Sequence, residues 1–263
     1  MPTNRMITLT TDFGNAGSYV GAVKGVLLKI NPRIIIVDIT HEVSCFNILE
    51  GALVLSSYYR YFPKGTIHLV VVDPGVGGKR KGILIQTDNH YFIGPDNGLF
   101  SFIFEKEKIR DIFDLTNSKY FLNKPSTTFQ VRDIFAPVSA YLSLGVDPKE
   151  FGSVTKECYK LKFRKPVYKN DYITGEILYI DRFGNLVSNI SSDLIKGEKM
   201  IQIKIRKKKL GHLRNYYAEV KEGEVIVLIG SNNLLEIAVN QGSAQKILKA
   251  KTGDKITIEK IKK

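Results

Sequence analysis

Val70-Val71-Val72-Asp73-Pro74-Gly75-Val76-Gly77-Gly78-Lys79-Arg80 holds the transition that decides the fold. Leu69 to Val72 is a continuous apolar run of the kind that forms a buried strand, and it breaks at Asp73-Pro74-Gly75 into a glycine-rich turn ending in Lys79 and Arg80. A carboxylate and a guanidinium therefore share one loop at a strand's carboxyl end, which is where open α/β sheets bind ligands. Turn chemistry and solvated surface charge are the better explanation of such a stretch when it stands alone. Other strand ends carry the same kind of polar residue.

Upstream, Ile7 to Thr10 is a short strand that delivers Asp12 to its carboxyl end. Gly17, Ser18 and Tyr19 lead into a helix with Val20, Val23, Leu27 and Ile30 on one face, stopped by Asn31-Pro32. This is the layout of a nucleotide site without the GxGxxG cradle, so no pyrophosphate site is expected. Ile34 to Ile39 reads as a second strand and Ser44 to Tyr61 as a helix, with the strand of Asp73 starting at Ile67. Alternating strands and helices imply a mostly parallel, Rossmann-like sheet covered on both faces.

Downstream, Ile83 to Thr87 and Tyr91 to Ile93 form an expected hairpin, followed by the turn Gly94-Pro95-Asp96-Asn97-Gly98 and a short helix with Leu99 and Phe102. Phe129 to Val131 reads as a loop, and Asp133 opens a helix interrupted near Pro137. Helical periodicity fades around Lys162 to Asn170. Short strands then dominate: Tyr172 to Ile180, Met200 to Ile205, Glu224 to Ile229, Leu234 to Ala238 and Lys255 to Glu259. The expected organisation is an α/β domain over 1–166 and a small antiparallel, barrel-like β domain over 170–263.

The chain has 263 residues, 43% hydrophobic and 25% charged, an ordinary globular composition, but its net charge is +13. That excess attracts polyanions. Lys204, Arg206, Lys207, Lys208, Lys209 and Arg214, with Tyr216 and Tyr217 as stacking faces, are the case for nucleic acid; the alternating Ile201, Ile203 and Ile205 make them an exposed hairpin instead. Cys45 and Cys158 have neither disulfide nor zinc spacing. No leader-like N-terminus or membrane-length apolar segment is read, so the expectation is a cytoplasmic protein.

Thr11-Asp12-Phe13-Gly14, Asp73-Pro74-Gly75-Val76-Gly77 with Arg80, Gly94-Pro95-Asp96-Asn97-Gly98, Arg132-Asp133-Ile134-Phe135-Ala136-Pro137 and Asp181-Arg182-Phe183-Gly184-Asn185 together resemble the S-adenosyl-L-methionine (SAM) hydroxide adenosyltransferases, hydrolytic relatives of fluorinase and chlorinase. The resemblance implies attack of water or hydroxide on the ribose C5′ of SAM, giving adenosine and methionine without metal or redox cofactor. It also implies a homotrimer with sites shared between subunits. A sulfonium leaves as a neutral thioether, so the enzyme must mainly align C5′ with a partly desolvated nucleophile.

In these terms Asp12 accepts the ribose hydroxyls, with Gly17, Ser18 and Tyr19 beside it, where a helix-capping role is its bland alternative. Asp73 and Arg80 match the family's water-activating aspartate and arginine. The family's histidine does not match: Gln130 stands there, and an amide holds water without taking a proton. Asp73 as base with Gln130 positioning the water, slow turnover, and binding without turnover all remain open. His41, His68 and His90 are the imidazoles available to substitute, His68 reading as structural. In the second domain Asp181, Phe183 and Asn185 resemble methionine and adenine contacts, with Ser231, Glu236 and the Val239 backbone as further candidates.

Overall fold

The computed structural model describes residues 6–196, 201–206 and 208–260, in two compact units that divide between Leu161 and Lys162. In the first unit β1 (Met6–Thr11), α1 (Tyr19–Ile30), β2 (Ile35–Thr40), α2 (Ile48–Tyr58) and β3 (Ile67–Val71) make successive strand–helix–strand crossovers. The hairpin of β4 (Gly82–Thr87) and β5 (Tyr91–Pro95) follows, then α3 (Ser101–Lys106), β6 (Ile109–Asp114), a π-helical turn at Val131–Phe135 and α4 (Ala136–Ser143). The sheet order is β2-β1-β3-β5-β4-β6. Strands β2, β1, β3 and β5 are parallel, and β4 runs against both neighbours.

β3 is central because both its faces are apolar. Leu69 and Val71 pack with Val23 and Leu27 of α1 and Val138 of α4, while Val70 and Val72 pack with Leu55 of α2 and Ile103 of α3. Burying each such side chain contributes about 1.5–3 kcal/mol, which holds the strand in the middle layer. From β1 the chain goes to β2 on one side, and β3 then lies on the other. This reversal opens a crevice at the carboxyl ends of β1 and β3, so it sets Asp12 and Asp73 at the topological switch point.

Several expectations need correction. β2 is an edge strand, and Ile35 is 54% exposed rather than covered. α2 starts at Ile48, capped by the Asn47 side chain on Glu50 N at 3.1 Å, because Phe46 has φ +65° and cannot join it. Val131 belongs to the π turn, not to a loop, and the expected irregularity beside Pro137 is that turn: it runs into α4 at Ala136, whose N–H reaches Val131 O, and Pro137 sits in the first turn of α4. β6 was not anticipated.

The second unit contains β7 (Val167–Lys169), β8 (Tyr172–Ile180), β9 (Leu186–Ser191), β10 (Ile201–Ile205), β11 (Lys208–Gly211), β12 (Leu213–Arg214), β13 (Val225–Ile229), β14 (Leu234–Val239), α5 (Ala244–Leu248) and β15 (Lys255–Lys260). The order β11-β10-β15-β8-β9-β14-β13-β12, with β7 beside β8, is antiparallel except at β12–β13. β11 approaches β13, so the sheet nearly closes into a barrel around Ile173, Ile177, Leu186, Ile237, Ile256 and Ile258. The anticipated strands match β8, β10, β13, β14 and β15, with Met200 outside the described residues, and the anticipated basic hairpin supplies β11; β7, β9, β12 and α5 were not read.

Strands β10 and β11 form the basic hairpin. Lys204 pairs with Glu259 at 2.5 Å and Arg206 with Asp254 at 2.8 Å, which offsets part of its charge; Lys207 lies outside the described residues. Among the described residues no helix is long and apolar enough to cross a membrane.

Candidate active site

Asp73 follows the buried Val72 directly, and the turn closes through Val76 N to Asp73 O at 3.3 Å and Gly78 N to Gly75 O at 3.0 Å. Gly77, at φ +78°, lies so close to the next segment that a Cβ would stand 2.5 Å from the Thr127 carbonyl oxygen. The turn brings Arg80 back onto Asp73. Arg80 Nε donates to Oδ1 at 3.1 Å and Nη2 donates to Oδ2, a two-pronged pair whose side chains are only 12% and 5% exposed. A buried pair survives when its remaining hydrogen-bonding capacity is met. Arg80 Nη2 meets it by donating to Gln130 Oε1 at 2.5 Å, and its guanidinium lies 5.5 Å over the Phe135 ring.

Gln130 reaches that position because Asp133 folds the preceding segment. The Asp133 carboxylate accepts from Ser126 N at 2.7 Å and from both prongs of Arg132 at 2.6 and 2.9 Å, and its carbonyl accepts from Leu122 N at 2.9 Å. Burial pushes the Asp133 carboxyl upward, but these donors outweigh it and hold the group below the usual carboxylate range. The Arg-Asp of the quoted motif is thus scaffolding for Gln130.

Asp12 is not a helix cap. Its Oδ2 accepts from Phe46 N at 2.9 Å, and α1 is instead preceded by Ser18, which makes no side-chain cap bond. A cavity of about 380 Å³, within the range of small-molecule sites, is lined by Asp12, Tyr19, Phe46, Asp73, Phe129 and Gln130 among others. Phe129 packs edge to face on Phe13 and Tyr19, which are themselves tilted against each other, with centroids 5.2–6.1 Å apart, making one apolar wall. Gly17 and Ser18 are exposed and outside the lining. From the Gly94–Gly98 turn, Asn97 Nδ2 donates to Val72 O at 2.9 Å, steadying the strand end before Asp73. Sequence reading passed over Phe13, Phe46 and Phe129; Phe13 lay in a quoted motif, whereas nothing local marks Phe46.

The three histidines do not line this cavity. His68 Nδ1 lies 2.8 Å from Thr8 Oγ1 and His68 Nε2 lies 3.3 Å from His90 Nδ1, on the α2 side of the sheet. Burial lowers both imidazole pKa values, that of His68 strongly. His41, at the end of β2, is also buried.

In the second unit Asp181 organises the β8–β9 turn. Its Oδ1 accepts from the N–H groups of Phe183 and Asn185, both at 2.9 Å, and its Oδ2 accepts from Asn185 Nδ2 at 3.0 Å. Gly184 has φ +84° and a Cβ there would stand 2.1 Å from Ser243 Oγ, so the turn is set against the start of α5. Asn185 is buried and Phe183 is 76% exposed. Glu236 is buried on β14 and accepts from Tyr217 OH at 2.7 Å; burial, with Asp181 adding to it, raises the carboxyl's pKa against that bond. Tyr217 is therefore a partner of Glu236 rather than a free stacking face. Val239 has a buried side chain and a carbonyl that accepts from Gly242 N at 3.2 Å, and Ser231 is exposed in the β13–β14 turn.

Comparison with known proteins covers both units. The SAM hydroxide adenosyltransferase N-terminal domain model matches residues 7–152 and the C-terminal domain model residues 175–257. A protein of Methanocaldococcus jannaschii named (R)-S-adenosyl-L-methionine hydrolase is 38% identical, over 96% of this chain and 95% of its own. One of the same name from Salinispora tropica is 33% identical over 96% and 97%. The crystal structure of an uncharacterized conserved protein from Thermotoga maritima superposes with a TM-score of 0.90 at 39% identity, covering 96% of this chain and 99% of that one.

Proposed function

Because the chain belongs to the SAM hydroxide adenosyltransferase family, we propose that it hydrolyses SAM to adenosine and L-methionine at the cavity of the first unit. The observation that carries this reading is that Asp12, Asp73 and Gln130 line one cavity at the switch point. Asp12 keeps one carboxylate oxygen beyond the bond from Phe46 N and binds the ribose hydroxyls. Asp73 and Gln130 hold the water.

The guanidinium of Arg80 has no acceptor, so it turns the oxygen of Gln130 toward itself and leaves the amide N–H groups for the water oxygen. Asp73 retains lone pairs beside its Arg80 bonds and accepts a water proton. As the water oxygen bonds to C5′, the C5′–sulfur bond breaks, the sulfonium takes the electron pair as the thioether of methionine, and one proton is released. No acid is needed for the leaving group. The aromatic wall and the burial of Asp73 reduce competing solvation.

Roles for Asp181, Phe183, Asn185, Ser231, Glu236 and Val239 at methionine and adenine, a homotrimer, a cytoplasmic location and domain bounds of 1–166 and 170–263 belong to the same proposal. Each unit leaves an apolar residue of its candidate site open, Phe46 at 70% and Phe183 at 76% exposure, which favours completion by assembly. The reaction is tested in ¹⁸O-labelled water: label in the 5′-hydroxyl of adenosine is the expected result. Tight adenosine binding with no product would favour a non-catalytic binder, the reading prompted by an amide at position 130.

A further inference from the structure

A buried imidazole that this reaction does not use laces the Asp12 turn to the segment after β2. β1 and β2 pair in step as far as Leu9 and Asp38, after which Thr10 faces Thr40, so Ile39 is an extra residue. In an unbroken strand residues 38 and 41 point to opposite faces; one extra residue reverses the parity and turns both the same way. His41 Nε2 accordingly lies 3.1 Å from Asp38 Oδ1. Its Nδ1 lies 2.8 Å from Thr11 Oγ1, and the residue is 3% exposed.

The carboxylate of Asp38 only accepts, so Nε2 carries the hydrogen of that pair; in the neutral ring Nδ1 is then the acceptor for the Thr11 hydroxyl, whose oxygen also accepts from Phe13 N at 3.3 Å. Asp38 Oδ2 in turn accepts from Lys24 Nζ of α1. Backbone bonds run in parallel: Gly14 N donates to His41 O at 2.7 Å and Val43 N to Thr11 O at 3.3 Å. Phe46 N then donates to Asp12 Oδ2 at 2.9 Å. The imidazole is thus a buried side-chain link between the two strand ends that supply Asp12 and Phe46 to the cavity wall, with the bond from Asn15 Nδ2 to Glu42 Oε1 at 2.7 Å as an exposed second one.

We infer that His41 is a positioning residue for the nucleoside: through Thr11 and Asp38 it fixes where Asp12 and Phe46 stand, and so sets affinity for the ribose without touching the water. The inference rests on Asp12 being the ribose ligand. Asp12 binds sugar in ground state and transition state alike, whereas Asp73, Arg80 and Gln130 hang on β3 and the π turn and are held to one another by side-chain bonds that do not pass through this lacing. Loss of the imidazole therefore acts on KM and not on kcat.

The test measures SAM turnover and calorimetric binding of adenosine for wild type, His41→Ala, His41→Gln, Thr11→Val and the His41→Ala/Thr11→Val pair. His41→Ala raises KM and the adenosine Kd by roughly three- to tenfold with kcat within about twofold. His41→Gln, whose amide supplies both an acceptor and a donor, recovers most of that affinity. Thr11→Val reproduces the loss, and the double variant is no weaker than His41→Ala alone because both break one chain. An unchanged adenosine Kd in His41→Ala, a fall in kcat at constant KM, or additive losses overturns the inference. Should His41→Ala not fold, Thr11→Val decides, wild-type affinity there overturning it. A wild type that neither binds adenosine nor turns over SAM overturns the proposed function instead.

Discussion

The amide oxygen of Gln130 lies 2.5 Å from Arg80 Nη2, so the same guanidinium that clamps Asp73 also sets the orientation of the amide. In the proposed reaction a residue that cannot accept a proton is thereby given one job, donating to the water that Asp73 is assigned to deprotonate. The pairing ties the Asp73 turn to the π turn across fifty residues of sequence.

Gln130→Leu keeps the size of the side chain and removes that donor. The expected result is a kcat lower by roughly ten- to a hundredfold, with adenosine affinity within about threefold of wild type. Steady-state kinetics beside adenosine calorimetry check it. A KM effect with kcat unchanged would place Gln130 on the substrate rather than on the water.

Asp12→Ala removes a carboxylate assigned to the ribose and frees Phe46 N. Charge-assisted bonds of this kind are worth about 1.5–3 kcal/mol, so adenosine should bind roughly ten- to a hundredfold more weakly. Equal affinity in the variant would return Asp12 to a purely structural role on the Phe46 loop.

What the sequence made legible followed local chemistry. The apolar run ending at Asp73 marks β3, Ile7 to Thr10 marks β1, and the turn residues 88–90 mark the β4–β5 hairpin. β6 escaped because Arg110 and Asp111 stand side by side in Ile109–Asp114 and break the period-two alternation, so only pairing with β4 makes it a strand. The π turn at Val131–Phe135 has no compositional signature, and it is the Asp133 bonds to residues 122–132 that fold it there. Aspartates at strand ends were visible as candidates, but the Arg80–Gln130 and Tyr217–Glu236 pairings join residues far apart in sequence, and only tertiary contact reveals them.

Gly77→Ala meets two penalties, a left-handed φ of +78° and a Cβ 2.5 Å from the Thr127 carbonyl oxygen. A backbone group cannot swing aside as a side chain can. Urea unfolding should show a loss of about 1–3 kcal/mol, and kcat should fall because Thr127 leads into Thr128, Phe129 and Gln130. Undiminished stability would mean that the loop is looser than its glycines imply.

His68 and His90 give the stability a pH dependence whose sign follows from their lowered pKa values. Their unfolded forms take up protons below about pH 6.5, whereas the folded forms, desolvated and facing each other, resist. Their contribution is therefore complete above that value and is lost as pH falls through the folded values. Unfolding free energies measured from pH 8 to 5 should decline, and less steeply in His68→Gln. Stability that rises on acidification would contradict the assignment.

The most direct test of the central claim is incubation of wild type and Asp73→Asn with SAM, following adenosine and methionine by chromatography and measuring adenosine affinity in parallel. Wild type should form both products in equal amounts, while Asp73→Asn, nearly isosteric, binds adenosine as before with kcat lower by at least about a hundredfold. Turnover by Asp73→Asn at the wild-type rate would contradict Asp73 as the group that takes the water's proton.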